Sequence, residues 1–122
     1  MRCHAEVDFM LDPFPFGGGM TSLLSLWMGV PIVTRAGHTI AGRQTSAFLC
    51  HLGLRDTLAA DERDYAELAV AWATDRERLV LLRAGLRERF AASPLADGAA
   101  VAGEVGGHIR RAWRAAVGGA TL

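Results

Sequence analysis

Gly17-Gly18-Gly19, followed by Met20, Thr21 and Ser22, is the stretch of this sequence best suited to chemistry. It lies between a short apolar run ending at Leu11 and a helix-like segment beginning at Thr21. Ligands of open α/β sheets bind outside the carboxyl ends of strands. The first turn of a helix leaves backbone N–H groups free and carrying roughly half a positive charge. Glycine lets that backbone approach a diphosphate closely, and the hydroxyls of Thr21 and Ser22 can add hydrogen bonds. The residues therefore fit a nucleotide-diphosphate cradle made by Gly18, Gly19, Met20, Thr21 and Ser22. The pattern matches neither GxGxxG nor the phosphate loop that ends in Gly-Lys. A sharp turn after Pro15, with Thr21 acting only as a helix cap, is the competing reading.

Other chemistries find less support. His4, His38, His51 and His108 have no partner at metal-ligand spacing, so no metal site is expected. His38 alone falls in a loop near a strand's carboxyl end; the plain alternative is a solvated polar residue. No pair of carboxylates stands out as acid and base, and no catalytic residue is assigned. Asp61, Glu62, Asp64 and Glu67 crowd a helix start, where they complement its dipole. Every basic residue is Arg, which excludes Schiff-base lysines and a Walker-type phosphate lysine. Cys3 and Cys50 lack CxxC spacing and fit a reduced, cytoplasmic setting rather than a disulfide or zinc site.

Composition agrees with a small packed protein. The 122 residues are 51% hydrophobic and 21% charged, with 13 basic against 13 acidic side chains. That share of apolar residues excludes disorder, and zero net charge argues against nucleic acid or an anionic membrane as partner. The longest apolar stretch, Leu23 to Val33, is broken by Ser25, Gly29 and Pro31 and is shorter than the ~20 residues a membrane helix needs.

The elements that must position the glycine turn can be read from periodicity. Val7–Leu11 fits a strand stopped by Asp12-Pro13. Thr21–Met28 reads as a helix with Leu23, Leu24 and Trp27 on one side, and Gly29 ends it. Pro31–Thr34 is a second buried strand, so the order is that of a βαβ unit. After a loop from Arg35 to Gly42 comes a helix over about Arg43–Leu52, ended by Gly53; Thr57–Ala59 can form a short third strand. Asp61 can cap a helix carrying Tyr65, Leu68, Ala69 and Trp72 at i, i+3, i+4 and i+7 spacing. Asp75 can cap another, with Leu79, Leu82, Leu86 and Phe90 inside and Arg76, Glu77, Arg83 and Arg87 in water. Ser93-Pro94 breaks the run. A last helix after Asp97 repeats Val101, Val105, Ile109 and Trp113 at core spacing, weakened by Gly103, Gly106 and Gly107. The chain thus divides into a βαβ-type part, 1–60, carrying the glycine turn, and a helical part, 61–122. So few strands should leave Phe9 and Ile32 poorly covered, and the sequence reads as the back half of an α/β domain.

Two linked segments carry a family resemblance. Leu11-Asp12-Pro13-Phe14-Pro15-Phe16-Gly17-Gly18-Gly19 and Leu26-Trp27-Met28-Gly29-Val30-Pro31-Ile32-Val33-Thr34 resemble the C-terminal catalytic region of O-GlcNAc transferase and SPINDLY-type glycosyltransferases. The likeness continues through Gly42-Arg43, Leu52-Gly53-Leu54, Asp64-Tyr65 and Ser93-Pro94-Leu95 to about Trp113. It implies a partial Rossmann-like domain, the C-terminal half of the donor-binding domain of a GT-B glycosyltransferase. It also implies a sugar nucleotide, UDP-GlcNAc or GDP-fucose, as substrate and a protein Ser/Thr hydroxyl as acceptor, with no cofactor. Many family members carry tetratricopeptide repeats ahead of the catalytic region. The glycine turn and Thr21 would hold the donor's diphosphate and stabilise charge on the leaving group.

Met20 stands where the family's first of two threonines is usual, and Leu24 where an acid commonly holds a ribose. The expectation is a donor-domain segment of a protein O-glycosyltransferase, lacking an upstream catalytic half and binding UDP weakly or not at all by itself. One rival is a non-catalytic interaction module that keeps the fold. Another is a cytosolic transferase that glucosylates Asn and shares the Pro-Phe-Pro-Phe-Gly type of turn.

Overall fold

A computed structural model describes residues 6–118, so the expectations for Cys3 and His4 lie outside the described residues. Three parallel strands, β1 (Met10–Leu11), β2 (Ile32–Arg35) and β3 (Leu58–Ala59), stand in the order β1-β2-β3. Met10 aligns with Ile32 and Leu11 with Val33; Thr34 aligns with Leu58 and Arg35 with Ala59. Helix α1 (Met20–Trp27) connects β1 to β2, and α2 (Gln44–His51) lies between β2 and β3. Helices α3 (Glu62–Thr74), α4 (Arg76–Ala91) and α5 (Gly98–Gly118) follow.

Residues of β2 alternate between two apolar clusters, as a pleated strand requires. Ile32 joins Leu26, Leu49, Leu52, Leu54, Leu86 and Phe90, with α1, α2 and α4 meeting over it. Val33 joins Trp72 and Leu79 from α3 and α4. Ile32 is therefore fully buried, against the expectation that a sheet this narrow would leave it poorly covered. Helices close both sheet faces, with α4 from the C-terminal half contributing to each.

The strand expected over Val7–Leu11 pairs only at Met10–Leu11. Met10 N–H donates to Pro31 O and Asp12 N–H donates to Val33 O, while Val7 and Leu11 are exposed. In α1 the fully buried residues are Ser22, Ser25 and Leu26, with Leu23 partly buried against the same core. The Ser25 oxygen lies 2.8 Å from both Thr21 O and the Met10 sulfur, which share its single proton, and a small side chain permits that close approach. Trp27 instead lies at the surface, edge-on to Phe90 and beneath the Arg87 guanidinium.

Helix limits follow their local signals. Gly29 and Gly53 have φ of +77° and +68° just past α1 and α2, a conformation strained for any residue with a Cβ. Asp61, Asp75 and Asp97 each accept a backbone N–H three residues on, from Asp64, Arg78 and Ala100. Arg83, expected in water, donates to the carbonyls of Val7 and Asp8 and so ties α4 to the chain entering β1.

The last helix departs furthest from expectation. Among the described residues α5 buries no side chain: Val101, Val105, Ile109, Trp113 and Val117 are all exposed, Trp113 by 69%. The core spacing is present, but the helix leaves the turn Pro94–Ala96 and runs clear of both clusters. No described helix is long and apolar enough to cross a membrane.

Candidate functional site

Asp12, read from sequence only as a strand stop, organises the turn. It is 4% exposed at the end of β1. Its Oδ1 accepts the Gly18 N–H at 2.7 Å, and its Oδ2 accepts the Thr34 hydroxyl at 2.7 Å. The Tyr65 hydroxyl donates to the Asp12 carbonyl oxygen at 2.9 Å. One residue thus joins the glycine turn, the end of β2 and helix α3. The legible signal was an acid at the end of one strand opposite a threonine at the end of the next.

The turn is held from the other side by α2. Thr45 donates to Gly18 O at 2.9 Å, and the Ser22 and Thr45 hydroxyls are 2.9 Å apart. A Cβ at Gly18 would lie 2.2 Å from Ser22 Oγ and 3.1 Å from Asp12 Oδ1, so only glycine fits there. The neighbouring loop presses close as well: a Cβ at Gly42 would stand 2.7 Å from Pro15 O.

The five expected binding residues accordingly take different roles. Gly18 is locked by two hydrogen bonds, its N–H donating to Asp12 and its carbonyl oxygen accepting from Thr45. Gly19 precedes α1, which starts at Met20 without any side-chain cap. Thr21 lies inside the helix rather than at its cap, which removes the competing capping role; its exposed hydroxyl borders Gly18. Ser22 is buried, its hydroxyl committed to Thr45. Met20 projects its thioether outward, 68% exposed. The N–H groups of the first turn of α1 have no partner within the helix, and the turn just ahead of them is tied through Asp12 to the ends of β1 and β2.

A second layer stiffens the turn's outer edge. The Arg35 guanidinium stacks on Phe14 at 4.6 Å, Phe14 meets Tyr65 edge-on, and Arg35 approaches Glu62 at 3.5 Å. Burial, and secondly the Asp12 charge, raise the Tyr65 phenol above its ordinary pKa, which keeps it a hydrogen-bond donor. His38, His51 and His108 are exposed and separate from this network. No group of three or more His, Cys, Asp or Glu among the described residues is arranged to hold a metal ion.

The description "Glycosyl transferase family 41" matches residues 2–104. The chain belongs to this family. It is 40% identical over 114 residues, 93% of its length, to a Petunia hybrida protein named "Probable UDP-N-acetylglucosamine--peptide N-acetylglucosaminyltransferase SPINDLY". A Caenorhabditis elegans protein named "UDP-N-acetylglucosamine--peptide N-acetylglucosaminyltransferase" is 31% identical over 90 residues, 74% of the chain. These matches span 12% and 8% of those relatives. A solved structure of a mutant Thermobaculum terrenum O-GlcNAc transferase superposes with a TM-score of 0.89 at 34% identity, over 98% of this chain and 23% of that one. The glycosyltransferase resemblance and the partial Rossmann-like α/β fold of a GT-B donor half are thus both found.

Proposed function

We propose that this chain forms the donor-binding part of a protein O-glycosyltransferase that uses UDP-GlcNAc or a related sugar nucleotide. The observation that carries the reading is the uncapped start of α1 at the carboxyl ends of β1 and β2, in a member of family 41. The donor's diphosphate sits on the N–H groups of Gly19, Met20, Thr21 and Ser22, with the Thr21 hydroxyl as the one side-chain donor from α1. Ser22 contributes only its backbone, because its hydroxyl is spent on Thr45.

As the sugar leaves the nucleotide, negative charge grows on the diphosphate. Fixed N–H dipoles aimed at that charge stabilise it without reorganising, which lowers the barrier to transfer. Asp12 keeps those dipoles aimed by holding Gly18. Its two carboxylate oxygens already accept the Gly18 N–H and the Thr34 hydroxyl, so Asp12 acts by positioning the turn. No metal or cofactor is required in this reading, so chelators should leave transfer unchanged. The protein acceptor, a Ser/Thr side chain, binds residues outside this segment, and transfer belongs to the longer catalytic unit acting in the cytoplasm.

Titrating the isotope-labelled chain with UDP tests the site. Backbone amides of Gly18 to Ser22 should shift selectively, saturating only near ~1 mM ligand, an affinity of about −4 kcal/mol. No selective shift there, either in this chain or in the longer catalytic unit that contains it, would refute donor binding. That result would favour a non-catalytic module, a reading supported by Met20 and Leu24, neither of which offers a polar group.

A further inference from the structure

Helix α2 brings a second polar side chain to the same turn. A Cβ at Gly19 would lie 2.7 Å from Gln44 Oε1, so the Gln44 carboxamide rests on the open Cα face of Gly19. Thr21 Oγ1, from α1, borders Gly18 in the same manner at 3.0 Å. The two glycines are therefore flanked by one polar tip from each helix.

Gln44 has no structural duty that explains it. It caps neither helix, since α1 and α2 both start without a side-chain cap. The bonds that fasten the turn come from Asp12 and Thr45, one position along, and not from Gln44. The residue is half-buried, so part of it is reachable from solvent. Which end of the amide carries the NH2 group is set by whatever it binds, and a carboxamide supplies two donors.

An anion on the start of α1 would meet these donors. Of the side chains in the first turn of α1, Met20 has no donor and the Ser22 hydroxyl is occupied, which leaves Thr21. We infer that the Gln44 carboxamide is a further donor-binding group, giving an N–H to the diphosphate oxygens held by the turn. This rests on the reading of the turn as a diphosphate site and adds a residue from a different helix to it.

The test follows the Gln44 side-chain NH2 signals and the Gly18–Ser22 amides in one titration of the labelled chain with UDP, and in a second with uridine. Both sets should shift with UDP along the same saturation curve, and the Gln44 signals should stay still with uridine. Gln44→Ala should weaken UDP about fivefold, as loss of one partly exposed hydrogen bond to an anion implies. Gln44→Glu should weaken it further. Gln44→Met retains the bulk without the donor and should match Gln44→Ala, so it decides the question if the alanine variant fails to fold. Turn amides that shift while the Gln44 signals do not, or a Gln44→Met chain with affinity within twofold of the original, would overturn the role of Gln44 and leave the turn standing. Equal Gln44 shifts with uridine would also overturn it. Absence of shifts at both places would remove the turn as a site, and Gln44 with it.

Discussion

The glycine turn and helix α5 show opposite solutions to placing a chain segment. At the turn, Gly18 and the side chains that hold it, Asp12, Thr34, Thr45 and Ser22, are paired with one another, and Tyr65 of α3 bonds the Asp12 carbonyl. In α5 the backbone is satisfied internally and no side chain is buried. The turn's shape is over-determined by tertiary bonds, whereas α5 is specified locally by Asp97 and by helix propensity. Single changes should therefore be costly at one region and nearly silent at the other.

The largest effect is expected at Asp12. Asp12→Ala orphans the Gly18 N–H and the Thr34 hydroxyl in a buried place and should cost about 3 kcal/mol in urea unfolding. A loss below 1 kcal/mol would contradict its organising role. Gly18→Ala comes next: the new methyl would strike Ser22 Oγ, and overpacking of this kind costs about 2 kcal/mol.

Tyr65→Phe removes one hydrogen bond to Asp12 O and should cost about 1 kcal/mol, with a pH signature that separates it from simple packing. Because the folded phenol's pKa is raised, the folded state holds its proton more tightly than the unfolded chain does. The resulting stability is complete below the unfolded value of about 10 and is lost as pH rises through the folded value. Stability of the original chain should thus fall above that pH, and the Phe variant should lack this part of the fall.

Trp113→Ala on α5 sets the lower end of the comparison. An exposed side chain away from special features changes stability by about 0.5 kcal/mol or less. A cost above 2 kcal/mol would show that α5 packs in solution against something that the described residues do not contain.

Much of the fold was legible because its signals are local. Asp61, Asp75 and Asp97 announce helix starts through a side chain that reaches three residues on, and Gly29 and Gly53 announce helix ends through positive φ. Ile32 and Val33 sit in an apolar strand whose alternation sends them to opposite faces. The misreadings occurred where a local pattern had two tertiary outcomes. The repeat Val101, Val105, Ile109, Trp113 is the same whether or not another surface meets it. Arg83 looks like a solvated residue until the chain entering β1 passes beside it.

At the candidate site the division is similar. Glycines 17–19 ahead of a helix, and the motifs shared with family 41, mark the place and the class of chemistry. They do not say which polar group faces outward. Thr21 and Ser22 are adjacent and alike in chemistry, yet helical geometry sends one hydroxyl toward solvent and the other against Thr45. Asp12 looks like a stop signal until β1 and β2 pair and bring Thr34 beside it.

What the sequence alone determined was the order of strands and helices, their caps and the position of the glycine turn, since each depends on residues within a few positions of one another. The tertiary structure decided the rest: Asp12 as the anchor, Ser22 as a buried partner, Gln44 at the turn, and α5 with its apolar side exposed. Those outcomes depend on segments 20 or more positions apart meeting in space, such as Asp12 with Thr34 and Tyr65, or Gly18 with Thr45. Periodicity records which residues share a face; only packing decides what that face meets.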